Sequence, residues 1–300
     1  MLAQDWFTNL FGRTETANVH EFLRFRNGML SSSVNNASYR VGSFALRNVK
    51  DLRAGVQPFA GKGRLTVSLV VGDVQRFHVD PANRHATFQV ASQFNCLEMV
   101  APQVTPEHGV TRYQADHTQG PACAICCGAA TVFRNYFVLD GQPQTEAMQV
   151  ECLSEVTKKL NPDGACYFVQ NGYTLATDEQ LEMLAKRMHD GGAELEAQLI
   201  ELSQIGHQAD TQVTSGEWGM ALHPDPQQMV TQVFASACAV SYSPNRQPQL
   251  WEPFARMVLK AAYVATLAIA VLNPNSNVCY LTLLGAGAFG NPLDWVAHFA

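Results

Sequence analysis

The strongest constraint on the fold lies near the end of the chain, where an apolar run stops at a cluster of glycines. The run is Cys279-Tyr280-Leu281-Thr282-Leu283-Leu284, followed by Gly285-Ala286-Gly287-Ala288-Phe289-Gly290-Asn291-Pro292. The apolar run predicts a strand, the glycines permit tight turns and close approach to a ligand, and Pro292 favours a first helical turn. The segment therefore predicts a strand, a loop and a helix N-terminus. Its N–H groups either cradle a phosphate or complete a structural turn.

Composition limits the classes of partner. The chain has 300 residues, of which 47% are hydrophobic and 15% charged, enough for one large domain or two small ones. A net charge of −6 argues against binding along nucleic-acid backbones, which requires many Lys and Arg side chains. A small phosphorylated ligand remains compatible, because backbone N–H groups bind phosphate without net positive charge.

Cysteine placement and the chain start indicate a cellular compartment. Most of the eight cysteines lie in apolar runs, as Cys238 does, which is typical of buried reduced thiols. The segment Met1-Leu2-Ala3-Gln4-Asp5-Trp6 lacks the pattern of a signal peptide. The apolar stretch Ala261 to Leu272 has 12 residues, fewer than a membrane span needs. We expect a cytoplasmic protein that contacts neither membranes nor nucleic acid.

Strand and helix patterns alternate after residue 65, which predicts an α/β sandwich with helices on both faces of the sheet. Short helices are predicted before that point, at 19–25 and 49–53. The later predictions are strands at 65–71, 86–91 and from 230, a buried helix opened by Pro121, a helix over 177–204 divided at Gly191-Gly192, helices at 252–272 and from 294, and a strand at 279–284. Ser241-Tyr242-Ser243 ends one predicted strand and either lines a cleft or packs there.

Three segments, in this order, resemble macrodomains. Val70-Val71-Gly72-Asp73-Val74 resembles their strand-Gly-Asp opening, and Phe88-Gln89-Val90-Ala91-Ser92-Gln93-Phe94-Asn95 resembles the next core strand. The loop from Gly285 to Asn291 resembles the second phosphate loop of poly(ADP-ribose) glycohydrolases and related macrodomains. The resemblance implies a three-layer α/β/α sandwich with a mixed sheet over 61–300, a helical insertion at about 140–225, and an N-terminal extension, 1–60, packed on the core.

The resemblance also implies a ligand, ADP-ribose, at the carboxyl ends of the strands. Asp73, beside Val74, would accept a hydrogen bond from the adenine amino group, and Asn95 would lie near the distal ribose. Both also fit structural roles, as a turn cap and a turn residue. The diphosphate would lie against Gly120 and the loop Gly285, Ala286, Gly287, Ala288, Phe289, Gly290 and Asn291. Phe289 would pack on the ribose side or else in the core.

One departure from the family weakens the catalytic analogy. The glycine triplet of the first loop and the paired glutamates of the glycohydrolases are missing, and Asp116-His117-Thr118-Gln119-Gly120-Pro121 stands there instead. A helix beginning at Gly120 still offers N–H groups to phosphate, contributing about 0.3–1 kcal/mol per anionic group. The missing glutamates put the standard glycohydrolase mechanism in doubt.

The chain still contains carboxylates that suit cleavage of a ribose–nitrogen or ribose–oxygen bond. That reaction needs a stabilised cationic carbon, a positioned nucleophile and a proton donor. Asp116 precedes the predicted helix, and Asp210 lies in a polar segment with Gln212. We expect these residues and Gln119 to act in catalysis, with Asp210 holding a guanidinium or the ribose hydroxyls. Glu217 is a further candidate. The structural alternative is that Asp210 caps local backbone.

Metal chemistry is the weaker alternative for this region. Cys123, Cys126 and Cys127 with His117 superficially resemble zinc ligands, but no second cysteine pair exists, and a packed helix face explains them. We therefore expect no metal and no required cofactor. The leading hypothesis is an ADP-ribosyl hydrolase acting on ADP-ribosylated protein side chains, with arginine among the candidate linkages. The alternatives are a module that binds ADP-ribose or another nucleotide diphosphate without turnover, and an unrelated α/β protein.

Overall fold

A mixed five-stranded sheet forms the centre of the fold in the computed structural model, which describes residues 5–298. Residues 1–4 and 299–300, at the ends of the predicted extension and terminal helix, lie outside the described residues. Two short sequence segments supply the middle of the sheet, and both are buried almost throughout. Strands covered on both faces read as continuous apolar runs, and so these segments are recognisable from sequence.

Strands occur along most of the described chain. In order they are β1 Leu23–Arg26, β2 Met29–Ser32, β3 Ser38–Arg40, β4 Ser43–Asn48, β5 Thr87–Ala91, β6 Phe168–Gln170, β7 Tyr173–Leu175, β8 Gln204–Gln212, β9 Ser215–Gly216, β10 Ala221–Leu222, β11 Met229–Ala235 and β12 Cys279–Tyr280. The central sheet has the order β12-β5-β11-β8-β4. Strands β12, β5 and β11 are parallel, whereas β8 is antiparallel to both β11 and β4.

Helices cover both faces of this sheet. They are α1 Trp6–Phe11, α2 Val49–Val56, α3 Val74–Val79, α4 Gln119–Cys126, α5 Gly128–Tyr136, α6 Ser154–Leu160, α7 Asp178–Leu202, α8 Glu252–Leu272 and α9 Leu293–Ala297. One buried cluster joins the sheet to α2, α7 and α8, and includes Val233 of β11. The other joins it to α1, α4 and α5, and includes Val230. This arrangement confirms the predicted α/β class with a mixed sheet.

Several helix predictions are confirmed. Helix α8 has the predicted bounds, with Pro253 in its first turn and Asn273 after its end. Helix α7 is divided at Gly192, whose φ of 54° is left-handed and breaks the helical path. The segment opened by Pro121 is buried, as predicted, and forms α4 and α5 with a break at Cys127.

The segment 248–272, which contains α8, also corrects an expectation about membrane spans. It is long and apolar enough, by length and composition, to cross a membrane, whereas the sequence pattern predicts no apolar stretch of that length. Most of it is buried inside this fold, and core helices of globular proteins pass the same test.

Three local predictions are wrong. Residues 65–71 form no strand and are exposed, with Leu69 at 95%, because no strand of the described chain pairs with them. Residues 19–25 form a 3-10 turn followed by β1 rather than a helix. Only Cys279–Tyr280 of the predicted strand 279–284 pairs regularly, and the side chain of Gln89 accepts the next hydrogen bond, from Thr282 N–H.

The central sheet also contains strands from the two regions that are predicted to lie outside the core, the N-terminal extension and the insertion. Strand β4, from the predicted N-terminal extension, pairs along its six residues with β8 at the edge of the sheet. Strand β8 itself comes from the range 140–225, the predicted insertion. Both pairings join residues far apart in the chain, and a local pattern carries no information about such partners.

Removal of the Phe88 ring should destabilise the fold. Phe88 is fully buried on β5, with its ring centroid 3.9 Å from that of His78 and 4.8 Å from that of Tyr280. Phe88→Ala should lower the free energy of unfolding by about 3–5 kcal/mol. The exposed residue Leu69 is the control, and Leu69→Ala should change it by less than about 0.5 kcal/mol. Denaturant titration measures both, and equal effects would contradict this packing.

Candidate ligand-binding site

The segments that follow β5, β11 and β12 meet at the carboxyl-end edge of the parallel strands. In open α/β sheets, ligands bind in the crevice outside these ends. The glycine loop 285–291 follows β12, residues 236–243 follow β11, and residues 92–99 follow β5. The start of α4 lies against the last residue of β5, because a Cβ placed on Gly120 would clash with the carbonyl oxygen of Ala91. We call this edge the cleft.

Two glycines allow the loop after β12 to approach the segment after β11. Gly285 and Gly290 have left-handed φ values of 77° and 70°. A Cβ at Gly285 would collide with the side chain of Ala237, and one at Gly290 would collide with Ser241 Oγ. Ser241 N–H donates a hydrogen bond to the carbonyl of Phe289, within the loop, at 3.0 Å. These two glycines therefore hold the loop closed on its neighbour.

The tip of this loop presents unpaired backbone donors. The N–H groups of Gly287, Ala288 and Phe289 have no hydrogen-bond partner anywhere in residues 5–298, whereas those of Gly290 and Asn291 donate to loop carbonyls. A Cβ at Gly287 would meet only open space. Successive free N–H groups in a turn attract anions, because each carries a partial positive charge.

Aromatic rings pack against one another beside this loop. The ring centroid of Tyr242 lies 5.7 Å from that of Phe289 and 5.2 Å from that of Tyr173. Burial, and then the negative charge of Asp116, raise the pKa of Tyr242. Phe289 and Tyr242 are half-buried, and both pack against a small buried cluster that contains Tyr173.

Asp116 and Gln119, both from the predicted first phosphate loop, have different surroundings. Asp116 is half-buried, and its Oδ1 accepts a hydrogen bond from Thr118 N–H at 3.0 Å. The side chain of Gln119 instead bonds to β5, accepting from Ala91 N–H and donating to the carbonyl of Gln89, both at 2.8 Å. Gln119 therefore replaces the strand pairing that β12 is too short to supply.

The residues predicted to hold adenine and the distal ribose are engaged within the protein. Asp73 caps α3, with Oδ1 accepting from Gln75 N–H at 2.9 Å, and Val74 packs against both hydrophobic clusters. Asn95 is 1% exposed, donates to Gln149 Oε1 at 2.8 Å and accepts from Leu97 N–H at 3.0 Å. Only the exposed Asp73 carboxylate is therefore accessible to a ligand.

Asp210 and Gln212 lie at the opposite end of the sheet from Asp116. The carboxylate of Asp210 lies 2.8 Å from Arg40 Nη2 and 3.1 Å from His85 Nδ1. Gln212 Oε1 accepts from Arg40 N–H. His85 precedes β5, whereas the cleft follows that strand, whose five residues span about 13 Å at roughly 3.3 Å per residue. Because β8 runs antiparallel to β11, its end reaches the amino ends of the parallel strands, and the expected pairing of Asp116 with Asp210 is absent.

A buried carboxylate that the sequence pattern does not single out lies under the start of α4. Glu98 is 2% exposed, and Arg134 Nη2 approaches its carboxylate to 3.7 Å, longer than a hydrogen bond. Burial raises the pKa of Glu98 to about 8, although the positive charge of Arg134 opposes the shift. Its signal in the sequence is a single acidic residue within the apolar run 96–100.

The cysteines of α4 show no sign of metal ligation. Cys123, Cys126 and Cys127 are buried, and burial raises the pKa of each thiol, that of Cys127 to about 12. The His117 ring packs against Trp218, next to the exposed Glu217. Across residues 5–298 no group of three or more His, Cys, Asp or Glu side chains is arranged to hold a metal ion.

No protein-family model, curated protein or solved structure matches the chain. The macrodomain resemblance therefore stays a prediction, and the cleft itself is the basis for a function. The cleft combines free backbone N–H donors, half-buried aromatic rings and, before α4, the carboxylate of Asp116.

The stability of the fold should depend on pH through the ionisation of Glu98. Because its folded-state pKa, about 8, exceeds the ordinary 4.5, this group stabilises the fold fully below pH 4.5 and the contribution is lost as the pH rises to about 8. Glu98→Gln removes that dependence. Unfolding at a series of pH values should therefore show wild type losing stability relative to the variant across this window. A difference that is constant with pH would contradict the buried, proton-binding carboxyl.

Proposed function

We propose that the protein binds ADP-ribose, free or attached to a protein side chain, in the cleft. The observation that carries this assignment is the row of unpaired N–H groups from Gly287 to Phe289, beside the aromatic pair Tyr242 and Phe289. Three adjacent backbone donors suit the oxygens of a diphosphate, and they need no basic side chain. This agrees with a chain of net charge −6.

The arrangement suggests how the ligand lies. The diphosphate would occupy the loop tip, where Gly287 leaves open space, with the first turn of α4, at Gly120, on the other side of the cleft. The distal ribose would pack against Phe289 and Tyr242. Its anomeric carbon would then face Asp116, which lies three residues before the start of α4.

Hydrolysis is a second function at the same site, favoured by the position of Asp116. We propose that the Asp116 carboxylate orients a water molecule or stabilises the positive charge that develops on the anomeric carbon. Water adds to that carbon, its bond to the side chain breaks, and the departing nitrogen or oxygen takes up a proton. Asp210 and Gln212 have no part in this scheme, because their side chains hold Arg40 at the other end of the sheet.

Blocking the loop tip should abolish binding. Gly287→Glu places a bulky negative group where the diphosphate would lie, whereas Gly287→Ala adds a Cβ that meets only open space. Calorimetry with ADP-ribose should show binding to wild type and to Gly287→Ala, and none to Gly287→Glu. Thermal unfolding should be alike for all three proteins. A well-folded wild type that fails to bind ADP-ribose would refute the assignment.

Neutralising Asp116 should separate turnover from binding. Asp116→Asn should slow release of ADP-ribose from modified peptides by at least about 100-fold, because a positioned carboxylate contributes roughly 10²–10⁴ to the rate. Affinity for free ADP-ribose should stay within a few fold. The matched variant Asp210→Asn should retain turnover while losing stability through Arg40 and His85.

Peptides linked through arginine, serine and acidic side chains would be tested in turn. If wild type binds ADP-ribose and releases it from none of these peptides, the protein is a binding module.

A further inference from the structure

One tryptophan is held in an uncommon backbone conformation beside the start of α4. Trp218 has φ 56° and ψ 33°, and the preceding Glu217 also has a positive φ, 48°. A bulky residue in the left-handed region is a genuine outlier, and such strain collects at ligand sites when the surrounding structure enforces it.

The surroundings of Trp218 do enforce this turn. Its N–H donates to Gln75 Oε1 at 2.7 Å, which ties the turn to α3. Next in the chain, Gly219 lies so close to Trp6 that a Cβ there would collide with the Trp6 side chain, and its carbonyl accepts from Asn9 Nδ2 at 3.0 Å. Two helices thus fix the backbone on either side of the indole.

The indole of Trp218 pairs with a neighbouring ring. Its ring centroid lies 4.5 Å from that of His117, at an interplanar angle of 31°. The His117 side chain is exposed, and Trp218 is half-buried, whereas Trp6, Trp251 and Trp295 are buried. His117 directly follows Asp116 in the chain, and so the ring pair lies next to that carboxylate's segment, before α4.

A buried donor without a partner lies against the same turn. Gln75 is 2% exposed, and its Nε2 has no hydrogen-bond partner within residues 5–298, while its Oε1 is occupied by Trp218 N–H. Gln75 is also bonded through its backbone to Asp73. Because Nε2 is buried, Gln75 fixes the turn, while the exposed carboxylate of Asp73, which precedes α3, can accept a hydrogen bond from the amino group of a purine.

We propose that Trp218 and His117 form the stacking surface for the purine base of the ligand. This assignment rests on ADP-ribose binding in the cleft and adds the residues that distinguish a nucleotide from a simple sugar phosphate. It also gives the strained turn a purpose, since a relaxed turn would carry the indole away from His117.

Fluorescence and calorimetry test this assignment with two ligands, ADP-ribose and ribose 5-phosphate. ADP-ribose should quench the indole emission of wild type, and ribose 5-phosphate, which lacks a base, should not. Because the other three tryptophans are buried, the quenching should vanish in Trp218→Phe, which keeps an aromatic ring and most of the affinity. Trp218→Gly should weaken ADP-ribose binding by about 10- to 100-fold, as expected for the loss of base stacking.

The variant Trp218→Gly distinguishes a ligand-binding role of the Trp218 indole from a purely structural role. Glycine accepts the left-handed conformation without strain, which offsets part of the packing lost with the indole, and so Trp218→Gly should remain folded. If wild type binds ADP-ribose and Trp218→Gly binds it equally well, the base lies elsewhere and only the stacking assignment fails. If wild type does not bind ADP-ribose, both assignments fail.

Discussion

The junction between the end of β5 and the start of α4 is the constraint on which the cleft depends. Gly120 lies so close to the carbonyl of Ala91 that no other residue fits without displacement of the helix. The Gln119 side chain completes the hydrogen bonding of β5 where β12 stops. Together they fix the helix N-terminus at the edge of the sheet. Asp116, His117 and Glu98 take their positions from this junction.

The cleft relies on backbone donors rather than on basic side chains. The loop tip at 287–289 offers free N–H groups because Gly285 and Gly290 fold its two ends against the segment after β11. The rings of Tyr242 and Phe289 pack edge to face beside this loop. Such a site is compatible with an acidic chain and with a ligand that carries both a diphosphate and apolar ring faces.

Features with a local cause were predictable from the sequence. Helix α8 follows from its apolar composition and from the proline and asparagine near its ends, and the break at Gly192 follows from a glycine pair in a charged helix. The predicted strand at 65–71 has the right alternation but no partner, and pairing is what makes a strand. Asp210 has a polar context that suggests catalysis, yet it pairs with Arg40 and His85, which are distant in sequence.

By itself the sequence determined the α/β class, the buried strand β5 and the glycine loop, because apolar periodicity and glycine flexibility act over a few residues. The tertiary structure alone decided which carboxylate faces the cleft, since that depends on the direction of β8 relative to β11. It also decided that Glu98 is buried and that Trp218 meets His117. Those contacts join residues brought together by sheet order and helix packing, and strand direction and register are set by partners far along the chain.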